Sequence, residues 1–227
     1  MIPVLLSRRG GGAASGPVLW LRGETEAYSD AAAVSLFTDT AGSRNFAQGT
    51  GANRPAWSAT KKGATFDGSN DYLTCASPIT DTAAGSISLV FFTGATAFAT
   101  RGNQVLFASA DEGSANNWFE IGVDGTGRVY VESNTGGTVM RLTGSTFLEQ
   151  STGYWLLVTY GGTDYYAQVA GVEQNPLSIT GTLTGKWLGN VSGADNLTLG
   201  GTVTSAGLVR PFQGTVSDLR VYSTDIT

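Results

Sequence analysis

Apolar and polar positions alternate along the chain in short runs, and clusters of Gly, Asn, Asp and Ser separate the runs. Period-two alternation marks a strand with one face in a core and one in water. Val18-Leu19-Trp20-Leu21 is the first such run. Residues 22–62 are irregular, with a turn-rich Asp39–Asn45 and then Asn53-Arg54-Pro55-Ala56-Trp57, where Trp57 reads as a core plug. Gly63–Phe66 and Tyr72–Cys75 flank Asp67-Gly68-Ser69-Asn70-Asp71 and read as strand, tight turn, strand, a hairpin with Cys75 as a buried thiol. Ser86–Thr93 alternates and then becomes wholly apolar, which predicts a central strand buried on both faces towards its end.

Gln104–Ser109 is the next strand. Trp118–Val123 and Arg128–Glu132 are joined by Asp124-Gly125-Thr126-Gly127, a strong hairpin signal, and Thr138–Leu142 follows. Tyr154–Tyr160 and Tyr165–Val172 form a second hairpin across Gly161–Asp164. Asn196–Leu199 and Pro211–Tyr222 complete the pattern, with Val216, Leu219, Val221 and Tyr222 expected to pack inward. The pattern predicts one all-β domain over residues 18–227 behind an arm at residues 1–17. In the arm, an apolar tip (Ile2, Val4, Leu5, Leu6) and two cations (Arg8, Arg9) precede Gly10–Pro17. A Gly-rich spacer is flexible on its own, so the arm is expected to be held by a neighbouring subunit.

Phe66-Asp67-Gly68-Ser69-Asn70-Asp71-Tyr72-Leu73 resembles the FDGxxDYL signature of laminin-G-like, concanavalin A-like domains. Asp39–Gly42 and Arg54–Trp57 resemble elements that precede that signature, and Leu197-Thr198-Leu199-Gly200-Gly201 and Phe212–Tyr222 resemble late strands of the same family. The resemblance spans roughly residues 18–223 and implies a two-sheet antiparallel jelly-roll sandwich. It also implies a rim where calcium is often held by carboxylate and carbonyl oxygens.

Hydrophobic residues make up 41% of the 227, enough for a sizeable core, while charged residues are 14%. The formal net charge of −5 leaves no basic patch for a phosphate backbone, which argues against a nucleic-acid partner. The absence of His excludes a Ser-His-Asp triad, a Cys-His pair and an imidazole zinc site. One Cys cannot form an internal disulfide. At the N-terminus the apolar run precedes the arginines, the reverse of a secretory signal, and no stretch is long enough to span a bilayer. Synthesis in a cytoplasm without export is therefore expected.

A glycoside hydrolase needs two facing carboxylates. The Glu-x-Asp-x-x-Glu run of related glucanases is missing; Glu120 and Asp124 straddle a turn, where Asp124 reads as turn chemistry, so no catalytic residue is expected. Asp67, Asn70, Asp71 and Asp111 lie in predicted loops, either as calcium ligands or as ordinary turn residues. A glycan would need an aromatic platform with planar amides. Trp187 with Asn190, in the loop Thr184–Asn190, and Trp118 with Asn117 are the candidates, against a core role for each tryptophan. Two functions fit. One is a bacteriophage virion surface protein, a capsid decoration or tail-associated subunit, oligomeric and anchored to other virion proteins by the arm. The other is a carbohydrate-binding module for adhesion to host-surface glycans.

Overall fold

A computed structural model describes residues 16–80, 82–174 and 178–226. Ile2, Val4, Leu5, Leu6, Arg8 and Arg9 of the arm lie outside them. In chain order the strands are β1 (Leu19–Arg22), β2 (Leu36–Phe37), β3 (Phe46–Ala47), β4 (Ala56–Ser58), β5 (Gly63–Asp67), β6 (Leu73–Cys75), β7 (Gly85–Thr93), β8 (Gln104–Ala110), β9 (Asn117–Val123) and β10 (Arg128–Thr135). They continue as β11 (Thr138–Phe147), β12 (Gly153–Tyr160), β13 (Tyr165–Val169), β14 (Val172–Glu173), β15 (Ser178–Thr180), β16 (Asn196–Leu199), β17 (Thr202–Thr204), β18 (Gly207–Val209) and β19 (Gln213–Tyr222).

The first sheet runs β14-β13-β12-β7-β19-β5-β4, with β1 also paired to β19; the second runs β15-β11-β10-β9-β8-β16-β6-β3-β2. Every pairing is antiparallel, and the result is the expected jelly-roll sandwich. The separate β17–β18 hairpin lies beside β8 and β16. Alternation supplies the core: Leu19, Leu21, Ile87, Leu89, Phe91, Leu156 and Leu219 from one sheet meet Phe107, Phe119, Ile121, Val131, Leu197 and Leu199 from the other. Each such side chain contributes about 1.5–3 kcal/mol through burial. Trp57 is buried among them, with the Phe37 ring edge-on at 6.2 Å, and Cys75 is a buried free thiol. No helix among the described residues is long and apolar enough to cross a membrane.

Three expectations need correction. The Asp67–Asp71 turn does not close a hairpin: β5 pairs with β19 and β4, whereas β6 pairs with β16 and β3. The turn is a corner that carries the chain from one sheet to the other. Asp67 Oδ1 accepts the N–H groups of Ser69 (2.7 Å) and Asn70 (3.3 Å), Asp71 Oδ2 accepts that of Asp67 (3.0 Å), and Gly68 takes φ 80°. With Phe66 and Leu73 both buried, the corner is pinned across the core. Second, the later part of β7 is buried on one face only: among the described residues no further layer covers it, and Val90 and Phe92 remain partly exposed. Third, Tyr222 faces outward. A bulge between Val216 and Asp218 shifts the register, so Val216, Leu219 and Val221 all point inward and Tyr222 does not.

Gly200 has φ 85°, and a Cβ there would sit 2.3 Å from the Phe66 ring. Gly200→Ala combines a left-handed backbone with a clash against a buried aromatic. A loss of at least about 2 kcal/mol is expected in urea denaturation.

Candidate functional site

The hairpin that buries Phe119, Ile121, Val129 and Val131 turns the intervening residues to the outer face of the second sheet. Those residues are Trp118 and Glu120 on β9, and Tyr130 and Glu132 on β10. The register sets Glu120 directly opposite Glu132. Two carboxylates so placed repel one another unless a cation intervenes. Arg210, immediately after β18 and at φ 52°, supplies it. Its Nη1 donates to Oε1 of Glu120 and, at 2.8 Å, to Oε1 of Glu132. Arg141 on β11 donates from Nη1 to the other oxygen of Glu132 at 2.6 Å. Tyr130 OH (2.8 Å, to Oε1) and Thr202 Oγ1 (2.9 Å, to Oε2) complete the shell of Glu120. The Arg141 guanidinium lies 4.0 Å above the Tyr130 ring and that of Arg210 5.0 Å above Trp118. Gly122 leaves room for this: a Cβ there would come within 2.8 Å of the Tyr130 ring.

The layers of charge are ordered. Side-chain exposure is 1% for Glu120 and 7% for Glu132, but 31% for Arg210 and 21% for Arg141, so the acids lie beneath and the cations face water. Burial pushes the Glu120 carboxyl above its ordinary range; Arg210 pulls the other way, and the Glu132 charge adds to the rise. Burial works against the Arg210 charge, yet the Glu120 carboxylate holds its pKa above the usual arginine value. Both oxygens of Glu120 already accept hydrogen bonds, and the two carboxylates hold the Arg210 guanidinium between them. Arg141 also donates from Nε to Thr143 Oγ1 and from Nη2 to Asn103 Oδ1, both at 3.5 Å, so what a ligand meets is the remaining N–H groups of two fixed guanidiniums.

The residues chosen from sequence fall into three places. Trp187 is not an exposed platform: it is fully buried, stacked at 14° on Tyr160 (5.7 Å) and edge-on to Phe119 (5.3 Å). Its loop folds inward because Leu188 is buried too, and the Asn190 side-chain oxygen accepts the backbone N–H of Trp187 at 3.3 Å. Phe119 and Trp118 point to opposite faces, so Trp118 cannot join Trp187. Trp118 lies instead in the charged cluster, 8% exposed beneath Arg210. Asn117 bonds Asp111 and the Gly136 N–H. Sequence reading missed Arg210, Arg141 and Glu132.

The four proposed calcium ligands do not converge. Asp67 pairs with Gln213, which bonds Gln104 at the start of β8, whereas Asp111 follows the far end of that seven-residue strand, about 20 Å away. Among the described residues, no group of three or more His, Cys, Asp or Glu could hold a metal. Asn70 instead ties the corner to Ala52 and Asn53. Burial pushes Asp71 up to about 6; the Asp67 N–H opposes this, and the Asp67 charge adds to it. The unfolded value is about 3.9. The folded chain therefore binds more protons between about pH 4 and 6, and stability falls as pH rises through that window. Asp71→Asn keeps the acceptor for the Asp67 N–H, so urea midpoints measured across that range should lose this part of their slope.

An interior cleft of ≈ 30 Å³, lined by Val129, Leu142, Val158, Tyr165, Ala167 and Gln174, has room for a water or two but is too small for a sugar.

The sequence profile of the Concanavalin A-like lectin/glucanases superfamily matches residues 67–227. No curated protein matches the chain. Among solved structures, the Ruminococcus gnavus IT-sialidase CBM40 bound to α2,3-sialyllactose superimposes with a TM-score of 0.54 at 17% identity, covering 63% of this chain and 77% of that one. The K499G mutant of the NanB sialidase from Streptococcus pneumoniae gives 0.54 at 15%, covering 73% of this chain and 26% of that one. The native heptameric SAP-like pentraxin of Limulus polyphemus gives 0.51 at 13%, covering 72% and 76%. Identities this low speak to the fold alone.

Proposed function

The chain belongs to the concanavalin A-like lectin/glucanases superfamily, and on that premise we propose that it is a non-catalytic carbohydrate-binding domain that takes an acidic sugar on the outer face of its second sheet. One observation carries the reading: Arg141 and Arg210 are half-exposed, yet fixed from below by Glu132, one carboxylate oxygen each. A ligand carboxylate arriving from water can engage the same two guanidiniums from the other side. Charge-assisted bonds of this kind are about twice as strong as neutral ones. The R. gnavus neighbour, whose structure contains sialyllactose, supports sialylated glycans as the first ligands to try.

A glycan array, followed by titration with sialyllactose and with lactose, tests the reading. Binding of the acidic sugar but not of lactose is expected, and a blank array sinks it. The virion anchor draws on Ile2–Arg9, outside the described residues, whereas the glycan site rests on described side chains; we therefore put the glycan reading first.

A further inference from the structure

We propose that Glu120 sets the charge state of this site, so that capture of an acidic sugar draws a proton from solvent onto the Glu120 carboxylate. The inference rests on the glycan reading above and extends it to regulation. With both acids ionised, Glu120 and Glu132 balance Arg141 and Arg210. A ligand carboxylate adds a third negative charge against two positive ones, within a few ångströms and partly out of water, where such a charge is poorly screened. Protonating one acid restores the balance.

Geometry selects Glu120. Glu132 holds both guanidiniums, one by each oxygen, and losing its charge would release the pair that the ligand needs. Glu120 holds only Arg210, which Glu132 also retains. It is the deeper acid, and burial already favours its neutral form. A proton on Oε2 has an acceptor at hand in the Thr202 hydroxyl oxygen, whose own hydrogen then turns away from the carboxyl.

Among the described residues, no other titratable group competes. The groups facing Glu120 are Tyr130 and Glu132 from β10, Thr202 from β17 and Arg210; its partner on β8 is the uncharged Ala108, and Arg141 lies beyond Glu132. Burial and the Glu120 charge raise the Tyr130 phenol well above its ordinary value, so it stays neutral.

The test is calorimetric titration of the whole protein with sialyllactose, in two buffers of different ionisation enthalpy and over a range of pH. Wild type should give buffer-dependent heats that report net proton uptake, and affinity should rise on mild acidification. Glu120→Gln preserves the shape and the acceptor for Tyr130 and Arg210 while removing the charge. It should bind about fivefold more tightly near neutrality, with heats that no longer depend on buffer. A merely structural role for Glu120 predicts weaker binding instead. Wild-type binding with buffer-independent heat, or a Glu120→Gln pH profile like that of wild type, overturns the proposal and leaves the glycan reading standing. If wild type does not bind at all, the glycan reading falls and this inference with it. Should Glu120→Gln fail to fold, the wild-type buffer comparison decides alone.

Discussion

Arg210→Ala should abolish measurable binding of an acidic sugar and lower the unfolding free energy by about 3 kcal/mol. The two losses have separate origins. Recognition fails because half of the guanidinium pair is gone, while Arg141 alone remains on Glu132. Stability falls because Glu120, face to face with Glu132 on the neighbouring strand, loses its cation and must either stay charged in the interior or take up a proton to remain there. A second substitution separates the two. Adding Glu120→Gln to Arg210→Ala removes one stranded charge, so part of the stability should return in urea denaturation while binding stays lost. If Arg210→Ala binds sialyllactose as well as wild type does, the outer face of the second sheet is not the site.

Trp187→Ala should show the opposite balance. Its ring is fully buried against Tyr160, Tyr165 and Phe119, and truncation leaves a cavity that the two sheets cannot close. A loss of about 3–5 kcal/mol is expected. The fraction that remains folded should bind the sugar with unchanged affinity, because the ring lies on the core side of β9 and the guanidiniums on the other. Denaturation and titration of one preparation check both halves. Lost binding at unchanged stability would return Trp187 to the role of an exposed platform.

The strands were legible because their signal is local. Alternation with an Asp-Gly turn located β9 with β10, alternation on either side of Gly161–Asp164 located β12 with β13, and both hairpins form with the expected partners. The Asp67–Asp71 corner misled because turn chemistry reverses a chain without saying which sheet receives it. That choice depends on β16 and β19, more than a hundred residues away. Trp187 misled because a glycine-bounded loop reads as exposed, although Leu188 and the turn held by Asn190 fold it into the core.

The charged cluster was half legible. The Asp124–Gly127 turn fixes a register in which Glu120 opposes Glu132, and two facing acids on one hairpin demand a cation nearby. The spacing of a glucanase carboxylate run lies along one strand and does not capture a pair that faces across two. Nothing local announces Arg210 as the partner. It reaches the cluster only because β17 and β18 fold back beside β8 and β16.

The position of β19 bears on how the protein is made. Residues 213–222 form a strand in the middle of the first sheet, flanked by β7 on one side and by β5 and β1 on the other. During synthesis the earlier strands of that sheet must wait with a gap between them, their edges unpaired and their apolar faces open, until residue 222 has left the ribosome. Assembly of this kind is slow and exposed to misassociation. Ribosome-bound chains halted before residue 213 should therefore be readily cleaved by added protease, and those extended past residue 222 by enough to clear the exit tunnel should resist it.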